Sequence, residues 1–298
     1  MSAMSGPRGN ALPQQVQVRS QARIIWENYK RHKLAVAASA VFALMALACL
    51  AAPVIAPYRF DAIDLSAIRQ APSLKHLMGT DDLGRDLLTR VLYGGQISIL
   101  IGIFSAVLGA SVGALVGALA GFYGGRLDNV LMRFTDIAYS IPTLPLLIVL
   151  SSFSGSTVPT IVLIIGLLSW MPTARVVRGS VLSTKEKEFV EAARMVGASN
   201  RVIIWRHILP NVAGPIIVGA TLGVGNAIIV ESSLSFLGLG VHPPTPTWGN
   251  MLMDSQATMA QKPWLTIFPG MAILLIVLAV NFIGDGLHDA LDPTLRRR

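Results

Sequence analysis

An all-α membrane protein with six transmembrane helices is the fold this sequence predicts, and three observations predict it. Of the 298 residues, 53% are hydrophobic and only 13% charged, whereas soluble domains average about 25% charged. The apolar residues fall in long uncharged runs, each near the roughly 20 residues that a spanning helix needs. The Lys and Arg lie between those runs, mostly on alternate sides. The net charge of +8 therefore reads as membrane orientation, not as a nucleic-acid surface. No basic run interleaved with aromatics is present.

Residues 1–33 read as a flexible polar tail ending in a basic anchor, WENYKRHK. The first span runs from Leu34 to about Ala56. Cys49, the one cysteine, lies inside it, which excludes an internal disulfide and a multi-cysteine metal site. An outer loop, 57–95, contains GTDDLGRDLLTRVLYGG. There Leu87, Leu88, Val91 and Leu92 form the apolar face of a helix beginning near Asp81 or Asp82. That helix either meets a partner outside the membrane or only leads into the second span.

The second span covers about Gln96 to Ala120. Gly109, Gly113, Gly117 and Gly121 recur along it every four residues, a side-chain-free face that lets another helix approach closely. Ile137 to Ala174 is uncharged for too long to be one span, and SSFSGSTVP divides it into a third and a fourth. Pro142 and Pro145 are expected to bend the third span and free carbonyls toward a path. Asp136 suits the first turn of that span.

A fifth span covers about Asn211 to Gly238 and repeats the small-residue pattern with Gly219 and Gly223, again read as packing. Glu231 is the one acid deep within a span, and an acid there faces the bundle interior or a water-filled path. It meets a cargo or gates the path, or it caps a neighbouring helix or pairs with an arginine of a partner chain. The following loop, HPPTPTWGNML, is stiff, with Trp248 as an interfacial anchor. A sixth span runs from about Thr266 to Gly284. The five-helix core is thus 96–286, with a tail at 287–298. Six spans with both termini inside place 18 of the 24 Lys and Arg on the inner side, a bias that fixes this orientation.

The polar loop 178–210 holds the most specific stretch, EAARMVGASNRVIIWRHILP from Glu191 to Pro210. It reads as two short helices joined at a glycine. Ser183 and Glu186 have capping-box spacing. Phe189, Ala192, Ala193 and Val196 form a stripe, and Gly197 stands where a left-handed cap is needed. Asn200 starts the second helix, and Pro210 ends it. Such a knuckle either packs on its own protein or shows itself to a partner.

No phosphate-binding Gly-x-x-x-x-Gly-Lys loop, His-Glu-x-x-His zinc motif or Gly-x-Ser-x-Gly elbow occurs, so no catalytic residue and no metal ligand is assigned. Few ionisable groups lie at mid-membrane, unlike an ion-coupled carrier.

Glu191, Ala192, Ala193, Gly197, Leu209 and Pro210 resemble the cytoplasmic coupling motif of ABC importer permeases: Glu-Ala-Ala, three residues, Gly, nine residues, Ile, any residue, Leu-Pro. His207 takes the usual Ile place, with Ile208 one step later. GTDDLGRD, FYGGRLDNVLMR, PPTPTWG and GDGLHDALDP resemble the dipeptide, oligopeptide and nickel group, in particular its second (C-type) permease subunit. The resemblance implies the type I ABC importer fold in a bacterial inner membrane. It implies a homologous permease, one or two cytoplasmic ATPases and an extracytoplasmic substrate-binding protein as partners. ATP and Mg would sit on the ATPases, with no cofactor on this chain. Peptides are the implied cargo, with nickel complexes and glutathione-like peptides left open.

Overall fold

A computed structural model of the chain describes residues 21–155 and 157–291. Parts of both tails, with Arg8, Arg19, Arg296, Arg297 and Arg298, lie outside the described residues. The regular elements among the described residues are all helical, with one isolated bridge between Thr80 and Asp86 in the loop before α4.

Within the stretch read as a flexible tail, Gln21–Arg31 forms helix α1. Its Tyr29 is buried against Ala35 and Ala290, and a Cβ on Gly286 would lie 3.1 Å from the Tyr29 ring. The first span is α2, Lys33–Leu50, extended by the short α3, Ala52–Ile55.

The second span is longer than its apolar core suggests. Helix α4, Leu87–Tyr123, has 37 residues, about 55 Å at 1.5 Å per residue. Its N-cap is Asp86, four or five residues later than the start read from the sequence near Asp81 or Asp82. Asp86 Oδ2 accepts from the Thr89 backbone N–H at 2.9 Å and its hydroxyl at 2.8 Å, an N-cap that leaves Asp81 and Asp82 in the preceding loop.

Helices α5, Gly125–Ser140, and α6, Thr143–Ser154, meet at 84°, with the break at Ile141 and Pro142. Asp136 consequently lies near the C-terminal end of α5, not in a first turn, and accepts from Arg175 at 2.8 Å. Helices α7, Val158–Leu167, and α8, Met171–Thr184, bend by 45° across Leu168–Trp170. Four helices are long and apolar enough to span a membrane, and six spans result when each bent pair is one.

Past the knuckle come α11, Ala213–Phe236, the short α12, Trp248–Ser255, and α13, Trp264–Leu291. Helix α4 is the hub, packing on α2, α5, α7, α8 and α11. Its glycine stripe faces α8. A Cβ on Gly113 would lie 2.6 Å from the Trp170 carbonyl oxygen, and one on Gly121 2.9 Å from that of Arg178. No side chain fits there, and the two helices touch backbone to backbone.

At the opposite end from the knuckle, Trp248 is not an interfacial anchor. It is fully buried in a cluster with Leu87, Val91 and Cys49, and its indole N–H donates to the Val91 carbonyl at 2.9 Å. Thr247 and Asn250 build a capping box that starts α12 there.

Candidate functional site

The knuckle is built from Lys187 onward. Helix α9, Glu188–Met195, has no side-chain N-cap. Ser183 lies inside α8, so the capping box read from Ser183 and Glu186 does not form. At its C-terminus, Gly197 has φ of +81°. The Gly197 N–H donates to the Arg194 carbonyl and the Ala198 N–H to that of Ala193, at 2.9 and 3.1 Å. This is the paired closure of a Schellman cap, which needs the left-handed conformation that glycine adopts without strain.

Asn200 is the first residue of the next helix, as read, with Ser199 at the N-cap position and no side-chain capping bond. Helix α10, Asn200–Val202, passes into a π-helical segment, Ile203–Ile208, and then a 3-10 turn, Leu209–Val212, before α11. Pro210 therefore does not stop the helix. It sits in the first turn of the 3-10 segment, where a missing N–H costs least. Asn211 Nδ2 satisfies the His207 carbonyl at 2.7 Å. The path from Asn200 to Phe236 is one continuous helical rod.

The inner face of the knuckle is fixed to its own chain. Val190, Ala193, Ile203, Ile204, Ile208 and Val212 are buried with Ala118 and Phe122 of α4 and Val177 and Val181 of α8. The expected stripe of Phe189, Ala192, Ala193 and Val196 is shifted, because the short helix turns Val190 inward instead. Ala193 faces the core, while Glu191 and Ala192 face outward. Leu209 is half-buried and Pro210 exposed. The outermost apolar residues are Met195, 88% exposed, and Val196, 84% exposed. Sequence reasoning missed Met195, whose only signal is its place two residues before Gly197. Behind the knuckle, Arg178 Nε and Nη2 grip Asp128 of α5 at 2.5 and 2.6 Å.

A second feature runs up one side of α11. Three adjoining cavities share lining residues. The first, of about 410 Å³, lies between Gly214, Val218 and His288. The next, of about 300 Å³, lies between Ser169, Thr173, Gly219, Gly223 and Asn226. The third, of about 210 Å³, lies between Tyr139, Thr143, Ser169, Asn226 and Val230. From Gly214 to Val230 this groove follows α11 for about 24 Å.

The α11 glycines thus differ from those of α4. A Cβ on Gly219 would have Thr173 Oγ1 as its nearest neighbour, at 3.7 Å. Gly219 leaves space, whereas Gly223 lies against α4, where its Cβ would be 3.4 Å from that of Ala106. Both broken helix pairs open here, since Thr143 follows one break and Ser169 lies in the other. Non-helical backbone at membrane depth is tolerated where it is buried in protein or lines a cavity. Pro142 is the N-cap of α6, and Pro145 lies in its first turn; both are exposed.

Glu231 lies elsewhere. It has no exposed surface and accepts from Ser235 at 2.7 Å and Ser98 at 3.3 Å, with Ser232 at 3.5 Å. The Trp248 backbone N–H donates to the same Ser98 hydroxyl at 3.3 Å, so the carboxyl ties α4 and α11 to the start of α12. In this conformation it lines no open path. Among the described residues, no group of three or more His, Cys, Asp or Glu could hold a metal.

Two family matches cover most of the chain. Residues 113–297 match the binding-protein-dependent transport system inner membrane component family. Residues 20–72 match the N-terminal TM domain of oligopeptide transport permease C. The chain is 45% identical to the oligopeptide transport system permease protein OppC of Escherichia coli K12, over 92% of each chain. It is 41% identical to the glutathione transport system permease protein GsiD of Shigella boydii serotype 4, over 96% of each.

Proposed function

The chain belongs to the inner membrane components of binding-protein-dependent transport systems, a multi-pass permease subunit of an ABC importer, and from that premise we propose that it forms half of a peptide channel driven through the Glu191–Pro210 knuckle. ATP hydrolysis belongs to the partner ATPases. The other half of the channel is a homologous permease, one or two ATPases take the knuckle, and a binding protein delivers cargo from outside. Both termini and the knuckle face the cytoplasm, as the Lys and Arg distribution favours.

The observation that carries the reading is the knuckle's two-sidedness. One face is locked into α4 and α8 by six buried side chains, while the other presents Met195 and Val196 bare. A partner gripping that tip moves the core and not a loop. The continuous rod from Asn200 then runs beside the groove to Val230. Peptide cargo is supported by the two relatives above, named for oligopeptide and for glutathione transport.

The groove is the proposed cargo path, with Asn226, Ser169 and Thr173 on its wall. Pro142 and Pro145 act by breaking α5 from α6 beside it. Glu231 serves that path indirectly, by holding α12 to the top of α11.

A direct test is a Met195→Cys variant in the assembled importer, treated with a short bifunctional maleimide. The expected product joins the permease to an ATPase. Labelling of that cysteine from the outer aqueous side, or by lipid-phase reagents alone, would overturn the docking assignment.

A further inference from the structure

We infer that this chain's wall of the cargo path is indifferent to side-chain charge and holds peptides through neutral hydrogen bonds to their main-chain amides. The inference rests on the reading of the groove as the path. Along its middle the polar groups are Asn226, Ser169, Thr173, Thr143 and Tyr139, and among the described residues lining these two cavities none carries a charge. Asn226 lies midway along α11, exposed, and its side-chain amide has no hydrogen-bond partner among the described residues. Its amide offers two donors and one acceptor.

The nearest charges cancel. Arg175 lies 4.6 Å over the Tyr139 ring, but Asp136 holds it at 2.8 Å. Of the three cavities, the knuckle-side one alone is lined by a histidine, His288. A fixed charge in a poorly hydrated groove acts strongly on a charged cargo, attracting one sign and obstructing the other. A wall of amides and hydroxyls does neither. Every peptide carries backbone N–H and C=O groups whatever its sequence, so they are the common feature such a wall can grip.

The test uses the complete reconstituted importer with its binding protein and ATPases. Uptake of trialanine, triglutamate and trilysine is measured for wild type, Asn226→Asp and Asn226→Lys. Each variant is compared with wild type peptide by peptide, which cancels the binding protein's own preference. Asn226→Asp is expected to depress triglutamate uptake about tenfold more than trilysine uptake, and Asn226→Lys to reverse that order.

Equal slowing of all three peptides by both variants would show that wall charge does not sort peptides, which overturns the role assigned to the neutral wall while leaving the groove as the path. Wild-type uptake of all three by both variants would overturn the path itself. Thr173→Asp, on the facing helix, carries the same test if an Asn226 variant fails to assemble.

Discussion

At the scale of single residues, the knuckle separates positions that look alike in the sequence. Ala192 and Ala193 are adjacent alanines of one motif, yet Ala192 is exposed and Ala193 buried against α4 and α8. Ala193→Asp therefore places a carboxyl in the permease's own core. It is expected to lower stability by about 1–3 kcal/mol, read as a drop in the thermal unfolding midpoint in detergent. Met195→Asp touches nothing in this chain. Its unfolding midpoint is expected to hold to within about 0.5 kcal/mol, while co-purification of the ATPase falls. If Met195→Asp retains the ATPase as wild type does, the tip is not the contact. Gly197 acts differently again. A Cβ there would meet nothing within 4 Å, so Gly197→Val costs only the left-handed backbone, about 1–2 kcal/mol. The variant is expected to insert and assemble but to lose stimulation of ATP hydrolysis by the loaded binding protein. Normal stimulation would show that the turn does not transmit.

At the scale of elements, hydropathy and glycine spacing carry far, and then stop for identifiable reasons. The second and sixth spans are recognisable from length alone, and the Glu-Ala-Ala motif marks the knuckle. What hydropathy does not carry is the direction of a short helix, such as α9, whose inward face is chosen by the cleft between α4 and α8. Nor does it show that Trp248 is buried, since that depends on Val91, 157 positions earlier, accepting its indole proton. The glycine stripes make the point most sharply. Four-residue spacing occurs in α4 and in α11, yet the α4 stripe is closed by α8 along its length, whereas in α11 Gly223 meets Ala106 of α4 and Gly219 faces the groove. Gly117→Leu should drive a side chain into the Ala174 backbone and the Val177 side chain. The expected loss is about 1–3 kcal/mol or failure to assemble. Gly219→Leu has room, so its unfolding midpoint is expected to stay near wild type while peptide uptake falls as the groove fills. Equal destabilisation by both would mean that the α11 face is packed after all.

At the scale of the whole molecule, α11 is pinned at both ends. Its knuckle end is held by Ile203, Ile204 and Ile208 in the α4–α8 core, and its far end by Glu231 through Ser98 of α4. Outside the bundle, Asp81 receives buried Arg85 at 2.7 Å and Arg90 at 3.3 Å, and both arginines reach Asp254 of α12 at 3.9 Å. These contacts tie the loop before α4 to the segment between α11 and α13. A chain so braced has little freedom for α11 to slide along α4, and its motion in transport is expected to be that of one rigid body against the partner permease. A disulfide between those two helices distinguishes the cases. A Cβ on Gly223 would lie 3.4 Å from the Cβ of Ala106, close to the roughly 3.5–4.5 Å span of a disulfide. The double variant Ala106→Cys with Gly223→Cys, in a Cys49→Ser background, is expected to crosslink on oxidation. If the chain moves as one body, oxidised and reduced forms take up peptide at the same rate in the reconstituted importer. Because the two forms share the same substitutions, their difference reports only the tether. Uptake that is lost on oxidation and restored by reduction would show that α11 must move against α4, and rigid-body rocking would have to give way to sliding within the bundle.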